Sequence, residues 1–357
     1  MSRVTAHINL AALTHNYGVV QNYAPKAHIM AAVKANAYGH GAVKIAQTLA
    51  KAGCRAFAVA TLEEALELRA NGITHTIVLL EGVLNAHELS QASQHQLTLV
   101  IHDDYQLKLL SAWQGAPFAL WLKLDTGMRR LGLQAHQIAA AETLAQGHHL
   151  LGYMTHLASA DEPHNPHTQA QLQAFETLTA GKAGARSVCN SAGIMAWHSA
   201  YAHDWVRPGL MLYGASPFED KHTSPLQPVM TLTSQILSIK PCSRGDTIGY
   251  GATYVCPQDM RIGVVAVGYA DGYPRCLPVG TPILINGITT QLVGRVSMDM
   301  ITVDLTPIPD ATIGDQVTLW GEGLPVERIA TYANTIAYEI FCGLTRRVQF
   351  EYKTLEA

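Results

Sequence analysis

Eight short apolar runs, separated by stretches of helical periodicity, fill the first 213 residues and restrict the folds open to this chain. The stretch 61–72 is typical of the intervening segments, because its apolar residues fall near one helical face and Asn71-Gly72 would end the helix. Short apolar strands separated by helices indicate parallel pairing with both faces of the sheet covered. The runs lie at 27–33, 56–60, 76–80, 97–101, 118–124, 150–156, 187–189 and 204–206.

Eight such units predict an α/β barrel of the TIM type, (β/α)8, and an open doubly wound sheet is the alternative. After about residue 225 the chain changes to strand-like segments punctuated by Gly, Pro and Asp, with one short helix at 325–334. We therefore expect a barrel over residues 1–225 and a C-terminal all-β domain over residues 226–357. The strand-like segments are 229–239, 261–269, 281–287, 289–296, 300–305 and 316–321.

The composition excludes several classes of protein. With 14% charged residues and a net charge of −3, the 357-residue chain lacks the basic surplus of a nucleic-acid-binding protein. It has no run of 18 apolar residues and no secretory signal pattern, so we expect no membrane span and a cytoplasmic location. The six cysteines form no CxxC pair, which predicts free thiols. Pro166 separates His164 from His167, so we expect no metal site there.

Polar side chains follow several of the predicted barrel strands, at the face where barrels of this kind place their chemistry. Lys34 comes directly after the apolar residues 29–33, and a lysine desolvated at a strand end favours the neutral amine that attacks carbonyl groups. The alternative is a lysine whose ammonium group reaches water. Tyr38, Gly39 and Gly41 follow closely, which indicates tight backbone approach to a ligand.

Residues after the seventh and eighth runs predict a phosphate site. The segment 190–193 enters a helix, where unpaired N–H groups bind anions, and Ser191 and Gly209 fit the place that phosphate sites take in such barrels. The alternative for Ser191 is an ordinary N-cap.

Eight segments, spread over most of the chain in the expected order, together resemble the alanine racemase family. These are pyridoxal-phosphate enzymes of the fold type that pairs a barrel with a β domain. The segments are AVKANAYGHG (32–41), LKLDTGMRRLG (122–132), MTHLASAD (154–161), NSAG (190–193), VRPGLMLYG (206–214), IGYGATY (248–254), VGYADGYPR (267–275) and GRVSMDM (294–300).

The resemblance implies a role for each matching residue of the barrel. Lys34 is the lysine that holds pyridoxal 5'-phosphate as a Schiff base, and it is also one of two catalytic bases. Arg207 faces the pyridine nitrogen, and Arg130 contacts the phenolic oxygen and the substrate region. His156 supports Tyr250 and Arg207. The residues that hold the phosphate are Tyr38, Ser191, Gly209 and Leu210.

The resemblance also implies that the β domain completes the active site. Tyr250 is the second catalytic base, Met298 and Asp299 line the substrate pocket, and Tyr269 narrows the entrance. In the family, the residues at positions 250, 269 and 298 reach the cofactor from the other subunit, so a homodimer is implied.

Three positions depart from the family pattern or carry a variable feature. Lys123 matches a lysine that is carbamylated in some members and positions the arginine corresponding to Arg130. Arg346 stands before Arg347-Val348, where some members have a tyrosine that contacts the phosphate and narrows the entrance. Arg129 replaces a residue that is often glycine.

The activity implied is the interconversion of L- and D-alanine, which supplies D-alanine for peptidoglycan in bacteria. A serine racemase of the same fold is the nearest alternative, because an apolar pocket rejects an added hydroxyl only weakly. An amino-acid decarboxylase would not need Tyr250, and a cofactor-homeostasis protein lacks the β domain, so residues 225–357 argue against both.

Overall fold

The computed structural model describes residues 3–201, 204–218 and 224–353. The chain begins with strand β1 (Thr5–Asn9) and helix α1 (Leu10–Tyr23). It divides into two compact units, one of Thr14–Leu212 and Pro217–Pro225, the other of Met1–Leu13, Tyr213–Ser216 and Leu226–Ala357. No helix within the described ranges is both long and apolar enough to cross a membrane.

The first unit contains a closed barrel of eight strands that pair in parallel and in sequential order. This confirms the predicted barrel and excludes the open doubly wound sheet. The strands are β2 (His28–Ala32), β3 (Ala56–Val59), β4 (Thr76–Leu79), β5 (Thr98–Ile101), β6 (Ala119–Lys123), β7 (His149–Met154), β8 (Ala185–Ser187) and β9 (Trp205–Val206).

Helical segments connect the barrel strands, and local signals explain where several of them start. The Thr61 hydroxyl and the Glu64 carboxylate form a capping box at the start of one helix, and Asn165 caps another that has Pro166 at its first position. The segments are α2 (Lys34–Gly39), α3 (Ala42–Lys51), α4 (Leu62–Ala70), α5 (Ala86–Gln94), α6 (Asp104–Ser111), α7 (Ile138–Ala145), α8 (Pro166–Thr179) and α9 (Ser191–Tyr201).

Side chains from every strand fill the barrel interior, as a barrel of eight strands requires. The buried cluster consists of Met30, Ala56, Ala58, Val78, Val100, Trp121 and Met154, with Leu80, Ala185 and Trp205 packed against it. The Trp121 and Trp205 rings meet edge to face with their centroids 6.3 Å apart. Because loss of a buried tryptophan costs roughly 3–5 kcal/mol, Trp121 is a main support of the scaffold beneath the carboxyl ends of the strands.

The second unit is built on an eight-stranded sheet in the order β13-β16-β15-β14-β17-β10-β1-β18, with a separate β11–β12 hairpin. This confirms the C-terminal β domain. The strands are β10 (Met230–Cys242), β11 (Thr247–Ile248), β12 (Tyr254–Val255), β13 (Met260–Val265), β14 (Pro282–Ile285), β15 (Ile288–Val293), β16 (Ile301–Asp304), β17 (Gln316–Trp320) and β18 (Gln349–Lys353).

Two features of this unit were not predicted. Strand β1, from the start of the chain, pairs antiparallel with β10 (Ala6 opposite Leu232) and parallel with β18 (Thr5 opposite Gln349). The helix expected at 325–334 is α10 (Val326–Tyr332), and a second helix, α11 (Ala337–Cys342), follows it.

Candidate active site

Arg207 follows β9 at the carboxyl end of the barrel and is held by neutral acceptors. Its Nη1 donates to the Ser187 hydroxyl at 2.7 Å, and its Nη2 donates to the carbonyls of Thr155 and Val188 at 2.5 and 3.2 Å. Burial lowers the pKa of Arg207 to about 10, so the guanidinium stays charged at neutral pH. These hydrogen bonds fix the charge without cancelling it, which leaves it available to an anionic or electron-rich ligand.

His156 lies two residues beyond β7, with its Nδ1 3.5 Å from Nη2 of Arg207. The pKa of His156 is well below its usual value. Burial is the largest cause, and the next are the positive charges of Arg207, Lys123, Arg130 and Lys34. The imidazole is therefore neutral at physiological pH. Because all four charges act on His156, these basic side chains must lie close to it at the carboxyl end of the barrel. We call the group of Lys34, Lys123, Arg130, His156 and Arg207 the cationic cluster.

Lys123, the last residue of β6, is itself perturbed by its position in the cationic cluster. Burial, together with the neighbouring charges of Arg207, Arg130 and Lys34, lowers the pKa of Lys123 to about 8, and Glu81 opposes this shift. A lysine ordinarily titrates near 10.4, so Lys123 carries a much larger fraction of neutral amine than a surface lysine does.

The segment after Lys34 forms one turn of left-handed helix. Ala35, Asn36, Ala37 and Tyr38 have φ between +51° and +53° and ψ between +44° and +52°. Two hydrogen bonds fasten the turn: the N–H of Ala35 donates to Oε1 of Glu64 at 2.5 Å, and the N–H of Ala42 donates to Oδ1 of Asn36 at 2.8 Å. The turn buries Tyr38 and leaves Lys34 partly exposed.

Tyr38, Ser191 and Gly209 meet in a tight cradle beside this turn. The hydroxyl of Ser191 accepts the N–H groups of Gly209 and Met211 at 2.9 and 3.3 Å. A Cβ on Gly209 would lie 2.4 Å from the phenolic oxygen of Tyr38, so only glycine fits there. Asn190 caps α9 instead of Ser191, because its Oδ1 accepts the N–H of Gly193 at 2.9 Å. Together with Leu210, which begins a short 3-10 turn (Leu210–Tyr213), these residues form what we call the anion cradle.

Tyr250 lies in the second unit, on the turn that joins β11 to β12. The flanking residues Gly249 and Gly251 have φ of +72° and +76°, a region that other L-residues rarely adopt. The Tyr250 side chain is 70% exposed. A Cβ on Gly251 would lie 3.3 Å from Nη1 of Arg295, so this turn packs beside the Arg295 guanidinium. The turn therefore exposes the Tyr250 phenol at the surface of the second unit.

Tyr269 and the Met298-Asp299 pair lie on two loops of the second unit that are bonded to each other. The N–H groups of Tyr269 and Ala270 donate to the carbonyls of Ser297 and Met298 at 3.1 and 3.0 Å. A Cβ on Gly268 would lie 2.2 Å from the Met298 carbonyl oxygen, so the loops meet closely only because residue 268 is glycine.

Arg347 ties the same two loops together. Its Nε lies 3.2 Å from the carboxylate of Asp271, which is 4% exposed, and its Nη1 lies 2.8 Å from Oδ1 of Asp299. Each pair contributes little free energy because Arg347 is half exposed. Their effect is geometric, since both carboxylates are oriented by one guanidinium.

Models of the N-terminal and C-terminal domains of alanine racemase match residues 8–217 and 229–352 of this chain. The chain belongs to the alanine racemase family. The alanine racemases of Coxiella burnetii and Aeromonas hydrophila are 46% and 48% identical to it over 362 and 359 residues. The alignments cover 98% and 99% of this chain, and 99% and 100% of those relatives.

Solved structures agree with this family. The biosynthetic alanine racemase from Pseudomonas aeruginosa has a TM-score of 0.94 at 41% identity, and 99% of this chain and 100% of that one are covered. The alanine racemase from Bartonella henselae, with covalently bound pyridoxal phosphate, has a TM-score of 0.91 at 32% identity over 99% of this chain and all (100%) of that one. These relatives do not favour the serine racemase alternative.

The structure groups the barrel residues that the family resemblance singled out. Lys34, Lys123, Arg130, His156 and Arg207 form the cationic cluster, and Tyr38, Ser191, Gly209 and Leu210 form the anion cradle. The β-domain residues Tyr250, Tyr269, Met298 and Asp299 lie on the loops of the second unit. The individual roles of these residues stay predictions.

The departures from the family pattern have a local explanation in one case. Arg129 has φ of +57°, a conformation that glycine adopts without strain, which fits the glycine that the resemblance implies here. Its N–H donates to Oδ1 of Asp125 at 3.1 Å and its Nη1 donates to Oε1 of Gln134 at 3.0 Å, and these bonds offset the strain. Arg346 is exposed, and nothing in the structure explains the change from tyrosine there.

Sequence reasoning missed several residues that position the site. Glu64 was overlooked although Thr61 and Glu64 have the spacing of a capping box, which is a readable signal. Ser187 and the carbonyl of Thr155, which hold Arg207, lie within or directly after strands and carry no signal of their own. Arg347 and Asp271 are far apart in sequence, so their pairing could not be read.

Proposed function

We propose that this chain is an alanine racemase that interconverts L- and D-alanine with pyridoxal 5'-phosphate held on Lys34. The observation that carries the proposal is the cationic cluster beside the anion cradle, at the carboxyl end of a barrel that belongs to this family. An anionic cofactor with a reactive aldehyde requires a positive cluster, an anion-binding loop and a lysine amine.

The residues present fit the cofactor. Because residue 209 is glycine, the Tyr38 hydroxyl lies directly against its backbone, so a phenolic O–H and main-chain groups are brought together at one place. We infer that Tyr38, Ser191, Gly209 and Leu210 hold the phosphate and that Arg207 faces the pyridine nitrogen. When bound, the cofactor supplies an electron sink for the negative charge that develops at the α-carbon of the amino acid.

Racemisation removes the α-proton from one face of the substrate and returns a proton to the other face, so two bases on opposite faces suffice without turning the substrate. We assign Lys34 Nζ to one face and the Tyr250 phenolic oxygen to the other. His156 is neutral, so its Nδ1 can accept a hydrogen bond from Arg207 and orient it. Arg130 would contact the cofactor's phenolic oxygen and the substrate region. Met298, Asp299 and Tyr269 line and narrow the substrate pocket.

Arg207 should suppress side reactions because it cannot give up its proton. A buried guanidinium with a pKa of about 10 would donate a hydrogen bond to the pyridine nitrogen and would protonate it poorly, so the bound cofactor would be a weaker electron sink. We expect Arg207→Glu to raise stray transamination about tenfold, a change of about 1.4 kcal/mol in the relative barriers. The measurement is pyruvate formed per alanine racemised, with Arg207→Lys, which keeps the positive charge, as the control. Unchanged partitioning in Arg207→Glu would contradict this role.

Lys123 should form a carbamate. With a pKa of about 8, Lys123 is half neutral at pH 8. The neutral amine attacks CO2: an N–C bond forms, one C–O π bond breaks, and a proton leaves to solvent, which gives a carbamate anion beside Arg130 and Arg207. We expect a carbamate signal in 13C NMR with labelled bicarbonate that grows between pH 7 and pH 9 and is absent in Lys123→Ala. Without the carbamate, the lowered pKa costs stability below pH 8, and that cost disappears as the pH rises from 8 towards the unfolded value of about 10.4. A labelled protein with no such signal would remove Lys123 from the proposed site.

We propose that the enzyme is a homodimer in which the β domain of each protomer completes the site of the other. Exposed large hydrophobic side chains on the second unit support a dimer interface there. Tyr250, Met298 and Tyr269 are 70%, 52% and 39% exposed in the single chain. Mixing the inactive variants Lys34→Ala and Tyr250→Phe should restore about a quarter of the wild-type activity, because half of the dimers are hybrids with one intact site of two. Subunits that exchange without any recovery would mean that each site is built within one chain.

The proposal is tested by the absorption band of a Schiff base in the purified protein, followed by an assay of D-alanine formed from L-alanine, with L-serine as the control. Equal rates on L-serine would favour the serine racemase alternative. We further propose that the product serves peptidoglycan synthesis in the cytoplasm, on the strength of the family resemblance alone.

A further inference from the structure

Two thiols lie side by side at the base of the loop that carries Tyr250. Cys242 is the last residue of β10, and Cys256 directly follows β12, so residues 243–255 between them contain the whole β11–β12 hairpin. Cys242 packs against a buried cluster that includes Cys256, Ile248 and Met260. The two thiol groups are also close enough for a side-chain hydrogen bond.

The backbone around this pair is already closed into a loop. The N–H of Gly245 donates to the carbonyl of Cys256 at 2.9 Å, and the N–H of Cys256 donates to the carbonyl of Asp246 at 2.8 Å. The N–H of Ser243 donates to Oδ2 of Asp246 at 2.7 Å, which fixes the other end of the loop. These bonds hold the two ends of the segment 243–255 in place, and a disulfide needs its two residues held close together in this way.

We propose that Cys242 and Cys256 form a redox-active pair that closes to a disulfide in the presence of a peroxide and thereby constrains the Tyr250 loop. The Cys242 sulfur attacks the peroxide; an S–O bond forms, the O–O bond breaks, and water leaves. The Cys256 sulfur then attacks the sulfenic acid; the S–S bond forms, the S–O bond breaks, and a second water leaves. The pair loses two electrons, and hydrogen peroxide accepts them.

The two thiols are unequal in a way that sets this order. Cys242 is the more exposed of the two and is reached first by a small oxidant. Burial raises the pKa of Cys256, and Cys242, Asp246 and Asp304 raise it as well, which favours the thiol form of Cys256. The exposed Cys276 donates a hydrogen bond to the carbonyl of Ala333, and it offers a comparison cysteine outside this pair.

The disulfide acts on the hairpin through Ile248. Ile248 lies in the same buried cluster as Cys256 and pairs with Tyr254 across the hairpin, one residue before the Gly249–Gly251 turn. Pulling Cys256 towards Cys242 shifts this cluster and moves Tyr250 from its place. The effect on catalysis rests on the proposed function, whereas formation of the disulfide does not.

The experiment uses the full-length holoenzyme, reduced and then treated with hydrogen peroxide. Peptide mapping should identify a Cys242–Cys256 crosslink, kcat should fall at least about tenfold since small misplacement of a catalytic group has effects of this size, and dithiothreitol should restore it. Cys242→Ser and Cys256→Ser should keep the reduced activity and lose the response, while Cys276→Ser should respond like the wild type.

Absence of the crosslink overturns the proposal, as does a crosslink that leaves kcat unchanged, or a Cys242→Ser variant as sensitive as the wild type. If the reduced protein does not racemise alanine, the proposed function fails, and the crosslink still decides whether the thiol pair exists.

Discussion

Lys34→Ala is expected to lose racemase activity by about 10⁴-fold or more, together with the Schiff-base absorption band. The reason is that one side chain performs two tasks: it holds the cofactor covalently, and it moves the α-proton on one face of the substrate. Removal of a general base alone reduces rates by roughly 10²–10⁴-fold, and loss of the covalent attachment adds to this. The measurement combines the absorption spectrum with D-alanine formed per enzyme per second.

Rescue by an added amine distinguishes loss of the catalytic amine from misfolding of the Lys34→Ala variant. Methylamine added in solution should return part of the activity to Lys34→Ala, because the missing group is an amine. The matched control is Lys44→Ala, which removes an exposed lysine from α3 and should behave as wild type. A Lys34→Ala protein that keeps more than a trace of activity would disprove the central assignment.

Tyr250→Phe is expected to lose racemisation by roughly 10²–10⁴-fold while keeping one half of the proton chemistry. Without the phenol, the α-proton of L-alanine has no base, whereas Lys34 can still take the proton of D-alanine. In deuterated water, solvent deuterium should therefore enter D-alanine and not L-alanine. The exchange is followed by NMR of each recovered enantiomer.

The control for this prediction lies on the same hairpin. Tyr254→Phe removes another phenol, whose hydroxyl contacts the Met260 sulfur at 3.5 Å, and it should leave both exchange reactions close to wild type. Equal loss of exchange from the two enantiomers of alanine in Tyr250→Phe would exclude the two-base assignment.

The barrel could be predicted because its information is local. Each of its strands is a short apolar run, and each run is followed by a polar residue at the carboxyl end, so Lys34, Arg130 and Arg207 could be placed from order alone. The pairing of β1 with β10 and β18 could not be predicted. Thr5 lies opposite Thr233 and Gln349, which are distant in the chain, and such long-range pairing produces no pattern in the sequence around Thr5. Helix α11 was missed because six residues give too little periodicity.

The contacts that support the candidate site could not be predicted from the sequence. Family motifs named Tyr250 and Met298, yet the Arg347 pairs with Asp271 and Asp299 depend on three loops that only the fold brings together. The sequence left open whether Ser191 caps helix α9 or lies in a phosphate site. In the structure Asn190 caps the helix, and the Ser191 hydroxyl instead accepts the N–H of Gly209.

The left-handed turn after Lys34 has a consequence for the chirality of the chain itself. Residues 35–38 are all L-amino acids other than glycine, yet they share φ near +52°, the conformation that their mirror images adopt without strain. The penalty is roughly 1–2 kcal/mol for each residue, a total comparable with the net stability of many domains. A chemically synthesised protein with D-alanine at positions 35 and 37 would relieve part of that strain. The backbone beside Lys34 thus favours the same enantiomer that we propose the enzyme makes from L-alanine.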